Sequence, residues 1–339
     1  MSYDMKAIVF PAAGEVEIRS FELPPCGADE IVVKTLYSMV STGTELRVWA
    51  GHYGSESKFP FIPGYSVIGE VLEVGAEVTS VAVGDVVSGR NPLPVPGINQ
   101  YWGAQASHHR YQLGGYDAAL KLPTTAAEAF PYLICEIGAI PWRGVKFATT
   151  NPGESALVMG QGLIGALAGK FLVMHDVRTV VADVHPLRLN RALGWGVAAA
   201  VDMRAADANE QLRALLPEGA DVLVEASGQP APALNALQFV RNRNVAGPGP
   251  LPRVVFQANY LDPLNLDLAH NLPSGSISLF YPGDREPQDR LDVIEFVRQG
   301  RISAEEFAGE IVPFTEAPAA YRALRDQPDQ HFSVAFKWE

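Results

Sequence analysis

A nine-residue stretch, LVMGQGLIG at 157–165, constrains the fold of this 339-residue chain more than any other. Gly160, Gly162 and Gly165 have the G-x-G-x-x-G spacing, between an apolar run and ALAGKFLVM, which can form a helix. In a strand–turn–helix unit the first glycine permits the tight turn, the second lets backbone approach a pyrophosphate, and the third allows close packing of helix on strand. The motif predicts a parallel, doubly wound sheet that binds a dinucleotide at a helix N-terminus, with Leu163 and Ile164 in the loop.

An acidic residue at the end of the next predicted strand supports the dinucleotide site. TVVAD ends at Asp183, 23 residues after Gly160, where a carboxylate can accept both ribose hydroxyls of an adenosine. Because a carboxylate there repels a 2′-phosphate, the sequence predicts NAD rather than NADP. The remaining candidate cofactor-binding residues are Arg188, Ala226 and Ser227. The alternative is that the glycines only pack a helix and Asp183 caps a turn.

The length and the pattern of the chain predict two domains, since one hydrophobic core usually stops growing near roughly 250–300 residues. The first 120 residues contain short apolar runs punctuated by Gly and Pro, typical of an antiparallel, barrel-like β-domain. Residues 91–101, with three prolines, predict a loop. Strand and helix patterns then alternate, as in a parallel sheet. The segment from about 285 adds two helical patterns, QDRLDVIEFVRQG and APAAYRALRD, and a last strand, FSVAFKWE.

Charge and cysteine content exclude several classes of function. Lys and Arg number 26 against 38 Asp and Glu, a net charge of −12, so nucleic acid is not an expected partner. No window approaches 18 uninterrupted apolar residues and the first apolar run is too short for a signal peptide, so no membrane association is expected. Two cysteines 109 positions apart exclude a disulfide framework. The composition predicts a cytoplasmic protein.

Several motifs in order resemble the medium-chain dehydrogenase/reductase superfamily, which includes the alcohol and polyol dehydrogenases. They are GTE at 43–45, PGYSVIGEVLEVG at 63–75, VGDVV at 83–87, VMGQGLIG with ADVHPLR, DVLVEASG, and EIVPFTEAPAAYRAL. The resemblance implies a GroES-like catalytic domain at 1–136, a Rossmann NAD-binding domain at 137–284, and a return to the catalytic domain at 285–339. It also implies a homodimer that continues the Rossmann sheet through an edge strand near GSISLFYPG, 275–283.

The chain departs from the zinc-dependent members of this superfamily at their ligand positions. Thr42, preceded by Ser41, stands where those members have a cysteine, and Tyr65 stands where they have a histidine. Cys135 falls near the third ligand position, but one thiolate cannot make a catalytic zinc site, which needs three protein ligands. His108 and His109 are adjacent on a predicted strand and point to opposite faces. No catalytic or structural metal is expected.

Hydroxyl groups can replace a Lewis acid if they donate hydrogen bonds to the developing oxyanion. We expect Thr42, Ser41 and Tyr65 to donate in this way, and Tyr65 could also pass a proton if the nicotinamide charge lowers its pKa. Glu45 could orient a hydroxyl or relay protons, and His52 follows the same turn. The alternative is that Thr42 and Glu45 only close a β-turn and Tyr65 fills the vacated zinc cavity.

The substrate is less defined by the sequence than the cofactor. Four aromatic residues could line a pocket for a bulky or ring-shaped substrate, or could be barrel core: Trp49, Tyr53, Trp102 and Tyr281. The STGTE and PGYS variants resemble the branch of bacteriochlorophyllide a dehydrogenases and related sugar or cyclitol dehydrogenases. The sequence therefore predicts a zinc-independent NAD-dependent oxidoreductase acting on a secondary alcohol or ketone. The alternatives are a quinone or enoyl reductase and a non-catalytic NAD-binding protein.

Overall fold

The computed structural model describes residues 3–52, 58–242, 250–272 and 276–338. The chain forms two compact units, Met1–Ile137 with Glu286–Glu339 (the first unit) and Gly138–Arg285 (the second unit). The boundaries predicted from the sequence, after 136 and after 284, each lie one residue before the boundaries of these units, after 137 and after 285. No helix in the described ranges combines the length and apolar character needed to cross a bilayer.

The strands, numbered along the chain, are β1 Tyr3–Val9, β2 Glu17–Leu23, β3 Glu30–Met39, β4 Phe61–Ile62, β5 Val67–Val74, β6 Val86–Gly89, β7 Asn99–Gln100, β8 His108–Gln112, β9 Leu120–Lys121, β10 Ser155–Met159, β11 Arg178–Asp183, β12 Ala199–Asp202, β13 Val222–Glu225, β14 Arg253–Phe256, β15 Ser278–Phe280, β16 Glu310–Pro313 and β17 Val334–Lys337. The helices are α1 Thr42–Trp49, α2 Cys135–Ala148, α3 Leu163–Met174, α4 Pro186–Gly194, α5 Ala208–Leu215, α6 Pro230–Leu237, α7 Pro287–Arg298, α8 Ala304–Phe307 and α9 Ala317–Asp326. Short 3₁₀ segments lie at Ala126–Glu128, Phe130–Ile134 and Phe314–Glu316.

The first unit is built around a seven-stranded sheet in the order β16-β17-β3-β5-β6-β9, with β8 also paired to β3. β3 carries the β-branched run IVVKT and pairs antiparallel with β5, β8 and β17, so residues from both ends of the chain meet on one strand. Only the β16–β17 pair in this sheet is parallel among the described strands. One core cluster packs α1 and α9 between β1 and β17, and includes Phe10, Trp49, Tyr321 and Phe336.

The second unit is a parallel sheet in the order β12-β11-β10-β13-β14-β15, with α3 following β10. This is the doubly wound order 3-2-1-4-5-6 of dinucleotide-binding sheets. The predicted fold class is confirmed. The strands are nearly all apolar because both faces of such a sheet are covered. β15, inside the segment predicted to hold the edge strand, is the edge of the sheet, while Gly275 of that segment lies outside the described residues.

The local structure after β3 differs from the expectation from sequence. The predicted turn around Thr42 and Glu45 is the first turn of α1, and the backbone of Ser41 accepts bonds from the amides of Thr44 and Glu45 at 3.0 and 2.7 Å. The segment TELRVW lacks Pro and Gly and carries an acid in its first turn and Arg47 in its last, which favours a helix.

Candidate active site

The dinucleotide loop of the second unit requires glycine at two positions because other backbone lies against it. Gly160 has a φ of +91°, and a Cβ there would lie 2.7 Å from Ser227 N and 2.8 Å from Ala226 C. A Cβ on Gly165 would lie 1.8 Å from the carbonyl oxygen of Gly160 and 3.1 Å from Ala226 Cβ. The predicted cofactor residues Ala226 and Ser227 therefore pack directly on the glycine loop.

The middle glycine has a different environment. Gly162 is the N-cap of α3, and a Cβ built there would meet nothing within 4 Å. Leu163 and Ile164 form the first turn of the helix, the former buried and the latter half-buried. Free amides, a helix dipole and open space in front of Gly162 are the features that bind a pyrophosphate.

Asp183 lies beside the same loop at the end of β11. It is 6% exposed, and its carboxylate accepts hydrogen bonds from the amides of Gln161 at 2.5 Å and His185 at 2.8 Å. Arg188 Nη1 lies 3.7 Å from the same carboxylate. The structure therefore brings the acid, the arginine and the glycine loop together, and the residues of this region fit a dinucleotide.

In the first unit, the predicted residue Tyr65 makes a buried hydroxyl pair. It is 4% exposed, and its Oη donates to Ser41 Oγ at 2.6 Å. The ring packs edge-on against Trp102 at 5.1 Å between centroids, and the Arg90 guanidinium lies 5.0 Å from its centroid. The position of Tyr65 depends on the residue before it, Gly64, which has a φ of +89°. A Cβ on Gly64 would lie 2.5 Å from Gln105 Cγ, so this turn favours glycine.

The protein surroundings of Tyr65 shift the pKa of its phenol. Burial raises the pKa to about 12, although the hydrogen bond with Ser41 and the charge of Arg90 act in the opposite direction. The lowering of this pKa by the charge of a bound nicotinamide stays a prediction. In the protein itself Tyr65 is a neutral hydrogen-bond donor at physiological pH.

Ser41, rather than Thr42, supplies the hydroxyl that meets Tyr65. Ser41 is the N-cap of α1, yet its side chain makes no capping bond within the described part of the chain, which leaves Oγ available to Tyr65. Thr42 is the first residue of the helix and is 8% exposed. Thr44 also bonds Tyr65 and helps to lower its pKa. The signal for this arrangement was the repeat of hydroxyl residues in STGT, which a helix brings onto one turn.

Glu45 is fully buried and holds the start of α1. Its Oε1 accepts from the amide of Ser41 at 2.8 Å, and its Oε2 accepts from Gln105 Nε2 at 3.2 Å and Tyr321 Oη at 2.5 Å. Burial raises the pKa of Glu45 to about 7, although these three donors oppose the shift. These contacts favour a role for Glu45 in positioning Ser41.

The network around Glu45 extends further into the first unit. Ser38 Oγ donates to Gln105 Oε1 at 2.6 Å and accepts from Trp338 Nε1 at 2.8 Å. Each amide atom of Gln105 therefore has a partner, which fixes the orientation of the Nε2 that reaches Glu45. Gln105, Tyr321 and Trp338 were not candidates from sequence.

We expect Glu45→Gln to remove a pH dependence of stability. A carboxyl whose folded pKa lies near 7 but whose unfolded pKa is near 4.5 binds more protons in the native state between these values, so the unfolding free energy falls as pH rises through this window. At about 1.4 kcal/mol per pKa unit, the wild type should lose roughly 3 kcal/mol relative to the variant between pH 4.5 and pH 8. Denaturant titrations at both pH values measure the difference, and Glu77→Gln, at an exposed carboxylate, is the control. Parallel pH profiles for wild type and Glu45→Gln would contradict the assignment.

The other predicted residues lie apart from the Tyr65 pair or in different surroundings. His52 is exposed after the end of α1, whereas Tyr65, Ser41 and Glu45 are buried. Trp49 is a core residue, 2% exposed and packed against Phe10 and Tyr321, so it does not line a pocket. Tyr281 belongs to the second unit and is 66% exposed. Tyr53 lies outside the described residues, and of the four aromatics Trp102 contacts Tyr65.

Known protein families match the two halves of this architecture. Residues 27–130 match the alcohol dehydrogenase GroES-like domain, and residues 164–246 match the zinc-binding dehydrogenase domain. The chain belongs to the medium-chain dehydrogenase/reductase superfamily. Its relatives are named alcohol, sorbitol, threonine and butanediol dehydrogenases, and they support its assignment to the NAD(P)-dependent oxidoreductases that act on CH–OH groups.

Individual members of the superfamily are similar to the chain at low identity. A sorbitol dehydrogenase of Bacillus subtilis is 26% identical over 70% of this chain and 72% of that protein. A probable zinc-binding alcohol dehydrogenase of Mycobacterium tuberculosis is 24% identical over 95% of this chain and 85% of that protein. The crystal structure of 2R,3R-butanediol dehydrogenase from Bacillus subtilis superimposes with a TM-score of 0.80 at 17% identity, covering 99% of this chain and 100% of that one.

The zinc that this superfamily commonly binds does not fit the side chains of this member. Ser41, Thr42 and Tyr65 offer neutral hydroxyls where zinc-dependent members have cysteine and histidine, and the buried thiol of Cys135 is one ligand where a catalytic zinc needs three. Within the ranges that the structure describes, no group of three or more His, Cys, Asp or Glu side chains could hold a metal ion. Zinc requires deprotonated ligands, so the hydroxyls of Ser41, Thr42 and Tyr65 are poor ligands for it.

Proposed function

We propose that this superfamily member is a zinc-independent, NAD(H)-dependent oxidoreductase that interconverts a secondary alcohol and a ketone. The observation that carries the proposal is the buried pair of hydroxyls, Tyr65 Oη and Ser41 Oγ, 2.6 Å apart. The pair occupies the segments in which zinc-dependent members hold their ligands. Two coupled hydroxyls are what the reaction needs in place of a Lewis acid.

The chemistry divides between the cofactor and the hydroxyl pair. A bound nicotinamide dinucleotide supplies the hydride acceptor in oxidation and the donor in reduction. Tyr65 donates to Ser41, and the Ser41 hydroxyl can donate to a substrate oxygen. In reduction Ser41 gives its proton to the alkoxide and takes the proton of Tyr65, which leaves a phenolate; in oxidation the alcohol proton returns along the same bonds to Tyr65. The pair stabilises negative charge on that oxygen as one unit, because donation from Tyr65 polarises the Ser41 hydroxyl.

The surrounding groups position this pair. Glu45 fixes the Ser41 amide, and thereby the hydroxyl on the same residue. Arg90 lies over the rings of both Tyr65 and Trp102, at 5.0 and 5.6 Å, and favours negative charge near them. Thr42 remains a proposed second donor. His52 remains the proposed alternative proton carrier, although its exposure argues for a lesser role.

The substrate proposal is a bulky or ring-shaped alcohol, such as a sugar, a cyclitol or a tetrapyrrole side chain. The contact of Trp102 with Tyr65 supports it, because an aromatic face beside a donor suits a ring. A panel of such alcohols and ketones, followed by absorbance of the reduced nicotinamide, tests the class. Turnover of quinones or enones with NADPH would favour the reductase alternative, and NADH binding without turnover would favour a non-catalytic protein.

We predict that the purified protein lacks stoichiometric zinc and keeps its activity in a chelator. The hydroxyl side chains at the ligand positions motivate this prediction. Elemental analysis and assays with and without EDTA measure it. About one zinc per chain, with activity lost when the metal is removed, would overturn the zinc-independent mechanism.

We predict that Asp183 determines the choice of cofactor. Its carboxylate lies beside the glycine loop, where it would bind the adenosine ribose and repel a 2′-phosphate. Asp183→Ser, with Arg188 retained 3.7 Å away, should shift the ratio of NADH to NADPH affinity toward NADPH by tenfold or more. Titrations of both cofactors against wild type and variant measure the ratio. Equal wild-type affinity for NADPH and NADH would contradict the role of Asp183.

Assembly and location stay predictions. A homodimer through β15 is expected because, among the described strands, β15 pairs with β14 alone, so that its other side could pair with a strand of a second copy. The cytoplasm remains the expected compartment.

A further inference from the structure

A second buried carboxylate lies at the end of β13, in the second unit. Glu225 is fully buried at the carboxyl end of this central strand. Its Oε1 accepts from the Ser227 amide at 2.9 Å and from the Ser227 hydroxyl, and its Oε2 accepts from Tyr260 Oη. The carboxylate therefore joins two segments that follow neighbouring strands, since Tyr260 comes four residues after β14.

The turn that Glu225 holds is the one that packs on the glycine loop. Ser227 N and Ala226 C lie where a Cβ on Gly160 would be only 2.7–2.8 Å away. A shift of the turn at 226–228 would move the backbone that packs against Gly160. Ser227 is thus fixed twice, by its own two bonds to Glu225 and by its contact with the loop.

The Tyr260 hydroxyl is placed to maintain this arrangement. Burial raises the pKa of Tyr260, and the adjoining Glu225 carboxylate raises it further, so the phenol stays protonated and keeps donating. Burial also raises the pKa of Glu225, whereas its bonds with Ser227 and Tyr260 oppose that rise. Besides Tyr260, the amide and hydroxyl of Ser227 and the Gly228 amide donate to this carboxylate. Without Tyr260 the buried carboxylate would lose one of these donors, which would favour a shift of the side chain.

We infer that Tyr260 is a positioning residue for the cofactor: through Glu225 it holds the 226–228 turn against Gly160, and so fixes the loop that binds the pyrophosphate. The inference rests on dinucleotide binding at the glycine loop and is independent of the role proposed for Tyr65. Tyr260 acts through Glu225 and needs no contact with the nicotinamide ring.

The test compares Tyr260→Phe with the wild-type full-length chain, using NADH and ADP-ribose as probes. ADP-ribose contains the pyrophosphate but no nicotinamide, so loss of loop position should raise both dissociation constants by about tenfold. The matched control is Tyr281→Phe, at an exposed tyrosine whose hydroxyl donates to the neighbouring Asn259 at 2.9 Å and which should bind both probes like the wild type.

A second variant covers the case in which Tyr260→Phe fails to fold. Ser227→Ala removes the hydroxyl that bonds the same carboxylate, and it should lower the affinity for both NADH and ADP-ribose in the same way. Weakening of NADH alone would show direct contact of Tyr260 with the nicotinamide and overturn the inference, as would unchanged affinities in both variants. A wild-type chain that binds neither probe would instead overturn the proposed NAD(H)-dependent function.

Discussion

Tyr65→Phe should reduce kcat by roughly a hundredfold or more on any alcohol that the wild type turns over, with NADH affinity unchanged. The change removes the hydroxyl that donates to Ser41 and polarises it, and a well-placed oxyanion donor contributes about 3–4 kcal/mol. The phenyl ring retains the edge-on contact with Trp102 and the position under Arg90, so the packing around the site is preserved. Steady-state rates and NADH titrations measure the two effects separately.

Tyr111→Phe is the matched control for this prediction. Tyr111 is a buried tyrosine of the same unit, 2% exposed, whose Oη has no hydrogen-bond partner among the described residues. Its loss should leave kcat unchanged. If Tyr65→Phe also retains full turnover, Tyr65 is a structural replacement for the metal ligand and the proton travels by another route, with Glu45 or His52 as the next candidates.

Double-mutant cycles test whether Ser41 or Thr42 acts together with Tyr65 on the substrate oxygen. Ser41→Ala and Tyr65→Phe remove the two ends of one hydrogen bond, so the double variant should lose much less than the sum of the two free energies. Thr42→Val should cost less than Ser41→Ala. If Thr42→Val couples to Tyr65→Phe more strongly than Ser41→Ala does, Thr42 is the donor that shares the substrate oxygen.

Gly160→Ala should produce the second large effect, a loss of NADH affinity of at least a hundredfold together with a loss of stability. An alanine would have to adopt a φ of +91° with its Cβ 2.7 Å from backbone of Ser227, and backbone cannot move aside as a flexible side chain can. The loop would therefore shift away from the position that binds the pyrophosphate. Fluorescence titration with NADH and denaturant unfolding measure the two losses.

Alanine variants of two other glycines distinguish the effect of backbone strain from the effect of a steric contact of the added Cβ. Gly153 has a φ of +84° but nothing within 4 Å of an added Cβ, so Gly153→Ala should cost roughly 1 kcal/mol of stability and no affinity. Gly162→Ala should leave stability unchanged and weaken NADH, because its Cβ would occupy space that the protein leaves open. Equal behaviour of all three variants would contradict the separate roles of the glycines.

The sequence predicted the second unit well because its signals are local. The glycine spacing, the strand before it and Asp183 at the end of the next strand all lie within about 30 residues, and each has one structural meaning. The first unit was harder. The eight-residue helix α1 follows directly on a ten-residue strand, and a helix this short has little periodicity to detect.

The partners of the predicted active-site residues could not be predicted because they are distant in sequence. Glu45 bonds Gln105 and Tyr321, which are 60 and 276 positions away, and Ser38 bonds Trp338, 300 positions away. A tyrosine in a helix has no pattern that indicates a buried carboxylate as its partner, and a tryptophan near a strand has none that indicates a serine hydroxyl. The same distance explains Trp49, whose role in the core depends on Phe10 and Tyr321.

The division of the first unit along the chain affects the order in which the protein can be made. During synthesis the second unit, continuous from Gly138 to Arg285, is complete as soon as its last residue leaves the ribosome. The first unit can be completed only later. Its strand β3 gains the partner β17, and Glu45 gains the Tyr321 hydroxyl, after the ribosome has added the segment 317–337. Until Tyr321 and Trp338 have been added, Glu45 and Ser38 lack donors that the finished protein supplies. A chain that ends at residue 285 should therefore contain an assembled second unit and an unfinished hydroxyl site.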